Sequence, residues 1–238
     1  MKTNVVNAVR EEIFPIDEVT ENCHASTVLP LEDGSVVAAW FGGTKEGNDD
    51  VTIWVSVRED GEWSKPYSIY VDDKPLPHWN PVLYLRKDNS ICLYFKYGKP
   101  IAKWRTYSCV SRDGGRSFCK PEELVPGEKE GARGPVKNKQ IHLSNGTVLA
   151  PTSTESKYFP WKCFTDISED DGRTYKRSAT RENMSLEEMK QSWIAKANTP
   201  CIFISAVERL NIDKLRSDLY GMVREIHSGR YPFNNFLY

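Results

Sequence analysis

The stretch Ser111–Phe118, which reads SRDGGRSF, decides the fold of this 238-residue chain. Its pattern is S-x-D-x-G-x-S-F, and the stretch Ser168–Tyr175 (SEDDGRTY) repeats the pattern with the same spacing. An Asp side chain accepts hydrogen bonds from the amides that follow it, and Gly adopts a positive φ without a Cβ clash. The aromatic residue at the end of each stretch can pack back beneath the turn. Both stretches are therefore predicted to be tight turns between strands.

A weaker copy of this pattern lies at Ser56–Trp63, where Asp60-Gly61 keeps the turn. The first serines of the three copies are 111 − 56 = 55 and 168 − 111 = 57 residues apart. A second turn signal in the same register consists of the pairs Asp33-Gly34, Asp88-Asn89 and Asn145-Gly146. Each pair stands between two strand-like apolar runs, as is typical of a hairpin. Two turn signals with one period predict a repeat of about 50 residues, each unit being one four-stranded antiparallel blade.

These stretches resemble the Asp-box, or BNR repeat, of sialidase-like β-propellers. Further phrases resemble one bacterial branch of that superfamily: Cys23–Thr27, Trp40–Gly43, His78–Pro81, Lys137–Lys139 and Ser153–Ser156. The resemblance covers roughly residues 10–178 and implies a mainly β fold, with a partial, about three-blade Asp-box β-propeller of sialidase type. Three blades do not close a ring. Exposed blade edges are therefore expected to favour self-association.

Residues from about 179 onward follow a different pattern. Ser185 begins a capping box that predicts a helix through about Ala197, and the apolar run Cys201–Ser205 predicts a short strand. Asn211 precedes a long amphipathic pattern that predicts a second helix ending at Gly229. Helix, strand and helix together predict a small α/β tail after the β fold.

The tail also carries a resemblance. The phrases Ala179–Asn183, Pro200–Ala206, Asn211–Leu215 and Arg230–Tyr238 resemble the C-terminal end of HflX-type GTPases. The chain is therefore predicted to join two incomplete pieces near residue 178, a sialidase-like fragment over 1–178 and an HflX-like segment over 179–238. The sequence contains no G-x-x-x-x-G-K-[ST] loop to bind nucleotide phosphates. GTP binding by the tail is consequently not expected.

Composition narrows the classes of partner and cofactor. The net charge is −1 at pH 7 and the pI is about 6.5, so neither nucleic acid nor an acidic membrane surface is an expected partner. The six cysteines form no C-x-x-C pair, which argues against a zinc site and favours free thiols. We expect no cofactor. The first residues lack the apolar core of a signal peptide, so the sequence as written is expected to remain in the cytoplasm.

Polar residues recur about ten residues before each hairpin turn pair. They are Cys23-His24 in the first repeat, His78-Trp79-Asn80 in the second and Lys137-Asn138-Lys139 in the third. The innermost strands of a propeller begin around its central opening, so we expect this set to line a ligand site. A single His at the start of a strand is more often structural, but polar residues at matched places in three repeats indicate a shared site.

Several residue types in or near this set have suitable chemistry for a sugar site. His24 and His78 are candidates for acid and base catalysis, because imidazole titrates near neutrality. Lys137 and Arg133 are candidates to bind a sugar carboxylate. Glu155, and Asp50 or its neighbour Asp49, are the candidate carboxylates. Glycoside hydrolysis usually needs two carboxyl groups, and sialidases replace one of them with a Tyr that Glu activates.

The resemblance implies a carbohydrate-active, sialidase-like glycosidase, exo-acting on a terminal acidic or deoxy sugar, or a fragment of such an enzyme. Sialidases carry an early Arg for the sialic carboxylate, and the comparable region from Phe14 to His24 has none. A His-dependent glycosidase and a uronate-directed lyase fit the His, Lys and Asn set equally well. The alternatives from another class are a non-catalytic glycan-binding or interaction module and an inert gene fusion.

Limited proteolysis tests the predicted join between the two pieces. We expect the first cleavage between about Lys176 and Ser185, because few contacts are expected to protect a junction between unrelated segments. Mass spectrometry of the early fragments gives the cleavage positions. A protease-resistant, monomeric chain that melts in one cooperative transition would show instead that the two pieces form one domain.

Overall fold

The computed structural model describes residues 9–16, 18–72, 76–128, 131, 133–155, 161–178, 186–191, 202–205 and 208–230. The chain divides into two compact units, Met1–Thr180 and Arg181–Tyr238. Each unit is described below by itself.

The described part of the first unit forms three antiparallel sheets, in which the strands mostly follow one another in chain order. The first sheet contains β1 (Asn22–Pro30), β2 (Val36–Gly43), β3 (Thr52–Glu59), β4 (Glu62–Trp63) and β5 (Tyr67–Ile69), the last paired with β3. The second contains β6 (His78–Leu85), β7 (Ile91–Tyr97), β8 (Arg105–Ser111) and β9 (Glu122–Glu123), with a 3₁₀ helix at Ile101–Lys103. The third contains β10 (Ile141–His142), β11 (Val148–Thr154), β12 (Lys162–Ser168) and β13 (Lys176–Arg177). The chain is therefore mainly β, as predicted.

The predicted hairpin turns join the first two strands of each sheet, and all three use the same hydrogen bond. The side chain of Asp33 accepts from the amide of Ser35 at 2.9 Å. The corresponding oxygen of Asp88 accepts from Ser90 N at 3.0 Å, and that of Asn145 from Thr147 N at 3.0 Å. A short polar side chain that bonds two residues ahead closes such a turn locally. The prediction of these turns is confirmed.

The SRDGGRSF and SEDDGRTY turns share a second hydrogen-bond arrangement. In the first, Asp113 accepts from Ser117 N at 3.0 Å and from Ser117 Oγ at 2.6 Å. In the second, Asp170 accepts from Thr174 N at 2.8 Å and from Thr174 Oγ1 at 2.5 Å. Partial burial alone would raise the pKa of Asp113, but the bonds from the Ser117 and Ser111 side chains outweigh it and lower the pKa to about 2.

Each of these turns also packs against the preceding sheet. The hydroxyl of Tyr67 donates to the carbonyl of Gly115 at 2.6 Å, and the hydroxyl of Tyr94 donates to the carbonyl of Gly172 at 2.6 Å. A Cβ atom at Gly172 would lie 2.5 Å from that same Tyr94 hydroxyl. Both glycines also have a positive φ. Glycine is therefore required at these positions for backbone conformation and for close contact between sheets.

Two apolar cores hold the three sheets together, and β7 contributes to both. Ile91, Leu93 and Phe95 face the first sheet, where they pack with residues such as Val37 and Ile53. The alternate residues Cys92 and Tyr94 face the third sheet, where they pack with Val148 and Ala150. Successive side chains of a strand point to opposite faces, so one central strand serves two layers.

The described part of the second unit contains α1 (Leu186–Lys190) and α2 (Ile212–Arg230). Each of the two stretches predicted to be helical contains a helix, but α1 covers only Leu186–Lys190 of the first stretch, of which residues 192–197 lie outside the described residues. The predicted strand is wrong for 202–205, where a single bridge joins Ser205 to Leu210, while Cys201 lies outside the described residues. An apolar run becomes a strand only where a neighbouring strand pairs with its backbone, and here only one bridge forms.

The predicted apolar face of α2 is about half exposed, at Leu219, Met222, Val223 and Ile226. Among the residues that the structure describes, no helix is both long enough and apolar enough to span a membrane.

Replacement of Asp170 tests the contribution of the repeated turn to stability. We expect Asp170→Ala to lower the free energy of unfolding by about 1–3 kcal/mol, because the amide and hydroxyl of Thr174 lose a charged acceptor. Urea denaturation measures the change. Glu169→Ala is the matched control, since the Glu169 side chain is 77% exposed and its loss is expected to cost less than about 0.5 kcal/mol. Equal stabilities of the two variants would contradict the prediction.

Candidate functional site

The starts of β1 and β6 lie at the end of their sheets opposite to the Asp and Gly turns, because β1 runs in the same direction as β3, and β6 in the same direction as β8. Both starts carry the same distortion. The pairing of β1 with β2 shifts register after His24, and the pairing of β6 with β7 shifts after Trp79. Ala25 and Asn80 have a positive φ at these shifts, at 51° and 44°. β-Bulges re-aim neighbouring side chains and are frequent beside binding sites.

A row of aromatic rings crosses this end from the first sheet to the second. The His24 ring stacks on Phe41 with centroids 5.8 Å apart, Phe41 meets Trp79 edge-on at 5.7 Å, and Trp79 meets Trp104 at 5.0 Å. The indole of Trp79 donates to the carbonyl of Gly98 at 3.1 Å, which fixes its orientation. We call His24, Phe41, Trp79 and Trp104 the aromatic row. Two residues predicted from the sequence, His24 and Trp79, thus belong to the same row of rings.

The aromatic row reaches the third sheet through a small cavity. Trp104, Ser153 and Glu155 line it, and the space open to the centre of a water molecule is about 10 Å³. This is about the size needed for one water. Trp104 is 8% exposed, and within the described residues its Nε1 has no hydrogen-bond partner. The hydroxyl of Ser153 donates to Glu155 at 3.3 Å. The predicted carboxylate Glu155 therefore lies next to the last ring of the row.

The loop between β2 and β3 supplies acidic groups near His24. The Nε2 atom of His24 lies 2.8 Å from Asn22 Oδ1 and 4.0 Å from Glu46 Oε2. Asp50, the predicted carboxylate, accepts bonds within its own loop from the amide and hydroxyl of Thr44, at 2.8 and 3.0 Å. Glu46 is therefore the carboxylate that approaches His24, and Asp50 shapes the loop that carries it.

Asp49, the alternative to Asp50, pairs with Lys99 at 2.6 Å and so ties the same loop to the second sheet. Phe41, Trp104 and Glu46 are not among the residues predicted from the sequence. For the two aromatic residues, a signal was present: Phe41 lies near the end of β2 and Trp104 directly precedes β8, at the same end of the sheets.

His78 occupies a buried position instead of the exposed end. It is 4% exposed. The amide of Val71 donates to its Nε2 at 3.2 Å, so its Nδ1 carries the proton and donates to the carbonyl of Val51 at 3.1 Å. Burial lowers the pKa of His78 to about 4, against the opposing effect of the Val51 bond. The ring thus joins the second sheet to the first as a neutral imidazole.

Arg133 is likewise buried, at 9% exposed, and both sides of its guanidinium are occupied. It donates to Asp166 at 2.8 Å and to Glu128 at 2.9 Å. Lys96, fully buried on β7, donates to the carbonyl of Arg133 at 2.9 Å and to Thr106 at 2.7 Å. Burial lowers the pKa of Lys96 to about 7, although Asp166 opposes this. Arg133 therefore fixes the segment before Lys137 in place.

Lys137, Asn138 and Lys139 are exposed at the end of that segment. Lys139 donates to the carbonyl of Val28 in β1, and partial burial lowers the pKa of Lys139. This bond holds the segment that precedes the third sheet against the first sheet. Asn80, the remaining predicted residue, lies half-buried at the distortion in β6. In the described residues, no group of three or more His, Cys, Asp or Glu side chains is arranged to hold a metal ion.

Comparison with known families and structures gives consistent results. A family model described as a BNR repeat-like domain matches residues 34–209. The Hadza microbial sialidase Hz136 has a TM-score of 0.57 and 14% identity, over 68% of this chain and 38% of that one. Zg3597, a family 117 glycoside hydrolase of the marine bacterium Zobellia galactanivorans, has a TM-score of 0.52 and 11% identity, over 73% of this chain and 60% of that one. Identities this low show the fold alone.

The GTPase HflX of Flavobacterium psychrophilum is 40% identical over 60 residues, which are 25% of this chain and 14% of that protein. Both resemblances expected from the sequence, to sialidase-like BNR repeats and to HflX-type GTPases, are confirmed. The chain spans less than two thirds of the length of each of these three proteins.

The buried neutral His78 predicts a pH dependence of stability. Its pKa is about 4 in the folded chain and about 6.5 when unfolded, so between these values the unfolded chain binds the extra proton. The free energy of unfolding should fall as the pH decreases from 6.5 to 4, by about 3 kcal/mol in total. Urea denaturation across this range should show that the free energy of unfolding depends less steeply on pH in His78→Gln than in the wild type. An equally steep pH dependence in the variant would contradict the assignment.

Proposed function

The chain belongs to the family of BNR repeat-like domains, and from this premise we propose that its first unit binds carbohydrate on the aromatic row. We further propose that the chain is a sialidase-like glycosidase, exo-acting on a terminal acidic or deoxy sugar, or a fragment of one. The two solved structures compared above, a sialidase and a glycoside hydrolase, share its fold and are the reason that we propose this class of activity.

The proposal includes the architecture of the first unit as three consecutive blades of an incomplete Asp-box propeller. Three observations support it: the sheets follow one another in the chain, the two turn signals recur with one period, and each later turn packs on the preceding sheet. In this arrangement β1, β6 and β10 are the inner strands. The bond from Lys139 to Val28 supports their closeness.

The aromatic row is the observation that carries the proposal of sugar binding. Phe41 and Trp104 are buried and support the row, whereas His24 is exposed and Trp79 is half-buried. These two rings can therefore meet a ligand. Ligand sites combine apolar and aromatic surface with a few polar groups that set orientation. Asn80, Lys137, Asn138 and Lys139 are the polar groups that we assign to this role, and the lysines favour an acidic substituent on the sugar.

The chemistry that we propose divides between His24 and Glu155. His24, whose Nε2 lies 4.0 Å from Glu46 Oε2, is the group that we assign to give a proton to the leaving oxygen as the glycosidic C–O bond breaks. Glu155 borders a cavity of about one water and can accept the proton of a water whose oxygen bonds to the anomeric carbon. The reaction consumes one water molecule, and each of the two products of the cleaved glycoside carries a hydroxyl group.

A second candidate is a non-catalytic glycan-binding or interaction module. It is favoured by the structural bonds that occupy His78 and Arg133, two residues predicted for catalysis and substrate binding. The second unit is proposed to be an HflX-like C-terminal segment without GTP binding, joined to the sialidase-like fragment near residue 178. Exposed sheet edges of the first unit are proposed to favour self-association.

A panel of glycosides tests binding and turnover separately. We expect at least one acidic or deoxy sugar glycoside to bind by calorimetry, and Trp79→Ala to weaken its binding about tenfold through loss of ring stacking. Tyr70→Ala is the matched control, since Tyr70 is an exposed aromatic residue outside the row. We expect Glu155→Gln to bind as the wild type does while turnover falls by about 10²–10⁴-fold.

The outcomes separate the candidate functions. Binding without turnover by the wild type would support the glycan-binding module, and unchanged turnover in His24→Ala and Glu155→Gln would refute the catalytic assignment. If no member of the panel bound, the inert fusion product would remain.

A further inference from the structure

An exposed ion pair lies at the border of the aromatic row, between the loop that joins β2 to β3 and the segment that follows β7. The amino group of Lys99 donates to Asp49 Oδ1 at 2.6 Å. The Lys99 side chain is 45% exposed and the Asp49 side chain is 53% exposed. Exposed ion pairs contribute little to stability, because water solvates the separated charges nearly as well. Both charges are therefore within reach of a ligand, and the bond between them is easily exchanged.

The backbone on each side of this ion pair is in contact with Trp79. On the Lys99 side, the carbonyl of Gly98 accepts from the indole of Trp79 at 3.1 Å. On the Asp49 side, a Cβ atom added to Gly47 would lie 3.4 Å from the Trp79 ring. The pair thus borders the half-buried ring that we assign to sugar binding.

Hydrogen bonds fix the backbone of both segments. The amide of Gly98, directly before Lys99, donates to the carbonyl of Pro77 at 3.1 Å. In the loop between β2 and β3, the amide and hydroxyl of Thr44 donate to Asp50 at 2.8 and 3.0 Å. A charge on a fixed backbone binds a ligand without a large cost of ordering. Exchange of the ion pair therefore requires movement of two side chains and leaves the segments in place.

The chemistry of the pair defines the ligand group that fits it. The Lys99 ammonium has three N–H donors, one of which goes to the Asp49 carboxylate. A carboxylate on a sugar is the same kind of acceptor, so it can replace Asp49 at Lys99 while Asp49 turns to water. A neutral sugar offers no charge in exchange for that of Asp49.

We propose that Lys99 determines the specificity for an acidic group on the sugar, and that Asp49 is a built-in competitor which occupies Lys99 until this group replaces it. This assignment rests on the proposed carbohydrate function. It adds to Lys137 and Lys139 a residue that distinguishes a charged from a neutral ligand, and a contact within the chain that opposes binding.

Matched pairs of charged and neutral ligands test the exchange. Methyl glucuronide, methyl galacturonide and methyl sialoside are each compared by calorimetry with the primary amide of the same sugar, which removes the charge and keeps the size. We define the charge preference as the affinity for the acid divided by the affinity for the amide. We expect Lys99→Met to lower the charge preference about fivefold and Asp49→Asn to raise it about fivefold, the upper range for one exposed ion pair.

The opposite signs separate recognition of charge from a structural role. If the pair only tied the loop to the second sheet, the two variants would remove the same bond and change the charge preference in the same way. Lys99→Arg keeps the charge and should keep the preference within about twofold of the wild type. Lys176→Met is the matched control for net charge, since Lys176 is an 87% exposed lysine at the turn end of the third sheet. It should leave the preference unchanged.

The exchange is refuted unless Lys99→Met and Asp49→Asn change the charge preference in opposite directions, and such a result would leave sugar binding on the aromatic row intact. A wild type that bound the amide as tightly as the acid in every pair would refute it as well. If the wild type bound no member of any pair or of the glycoside panel, the proposed function and the exchange at Lys99 would fall together.

Discussion

Burial of β7 on both faces is the constraint on which the rest of the first unit depends. Every residue from Ile91 to Tyr97 is buried. A strand covered on both sides must supply apolar side chains at odd and at even positions. β7 does so from Ile91 to Phe95. One face holds the first sheet and the other holds the third, so the removal of apolar surface from water links all three layers through a single strand.

Lys96 is the one charged residue in this strand, and its surroundings show how a buried charge is accommodated. Its amino group has two oxygen partners, and the nearby Arg133 is paired with Asp166 and Glu128. Buried charges persist where partners satisfy them, and loss of one partner leaves the other exposed to the full desolvation cost. The network therefore holds the backbone at Arg133 in place, and from there the chain continues to the exposed Lys137.

The two ends of the sheets have separate roles. At one end, Asp, Asn, Ser and Gly close the turns and attach each sheet to the one before it. At the other end, strand starts and loops bring aromatic rings and carboxylates from different sheets together. Stability and the proposed ligand contact thus depend on different residues. Loops and strand ends can vary at a site while a rigid scaffold keeps their positions.

The sequence by itself determined the turns, their period, the mainly β fold and the two family resemblances. These depend on local chemistry, because an Asp or Gly shapes a turn through bonds to residues two to four positions away. Only the tertiary structure decided which polar strand starts are exposed. His24 joins the aromatic row, whereas His78 and Arg133 are buried among partners from other segments, up to 42 residues away in the chain. Burial and pairing of this kind depend on which distant segments pack together, and no local pattern encodes that.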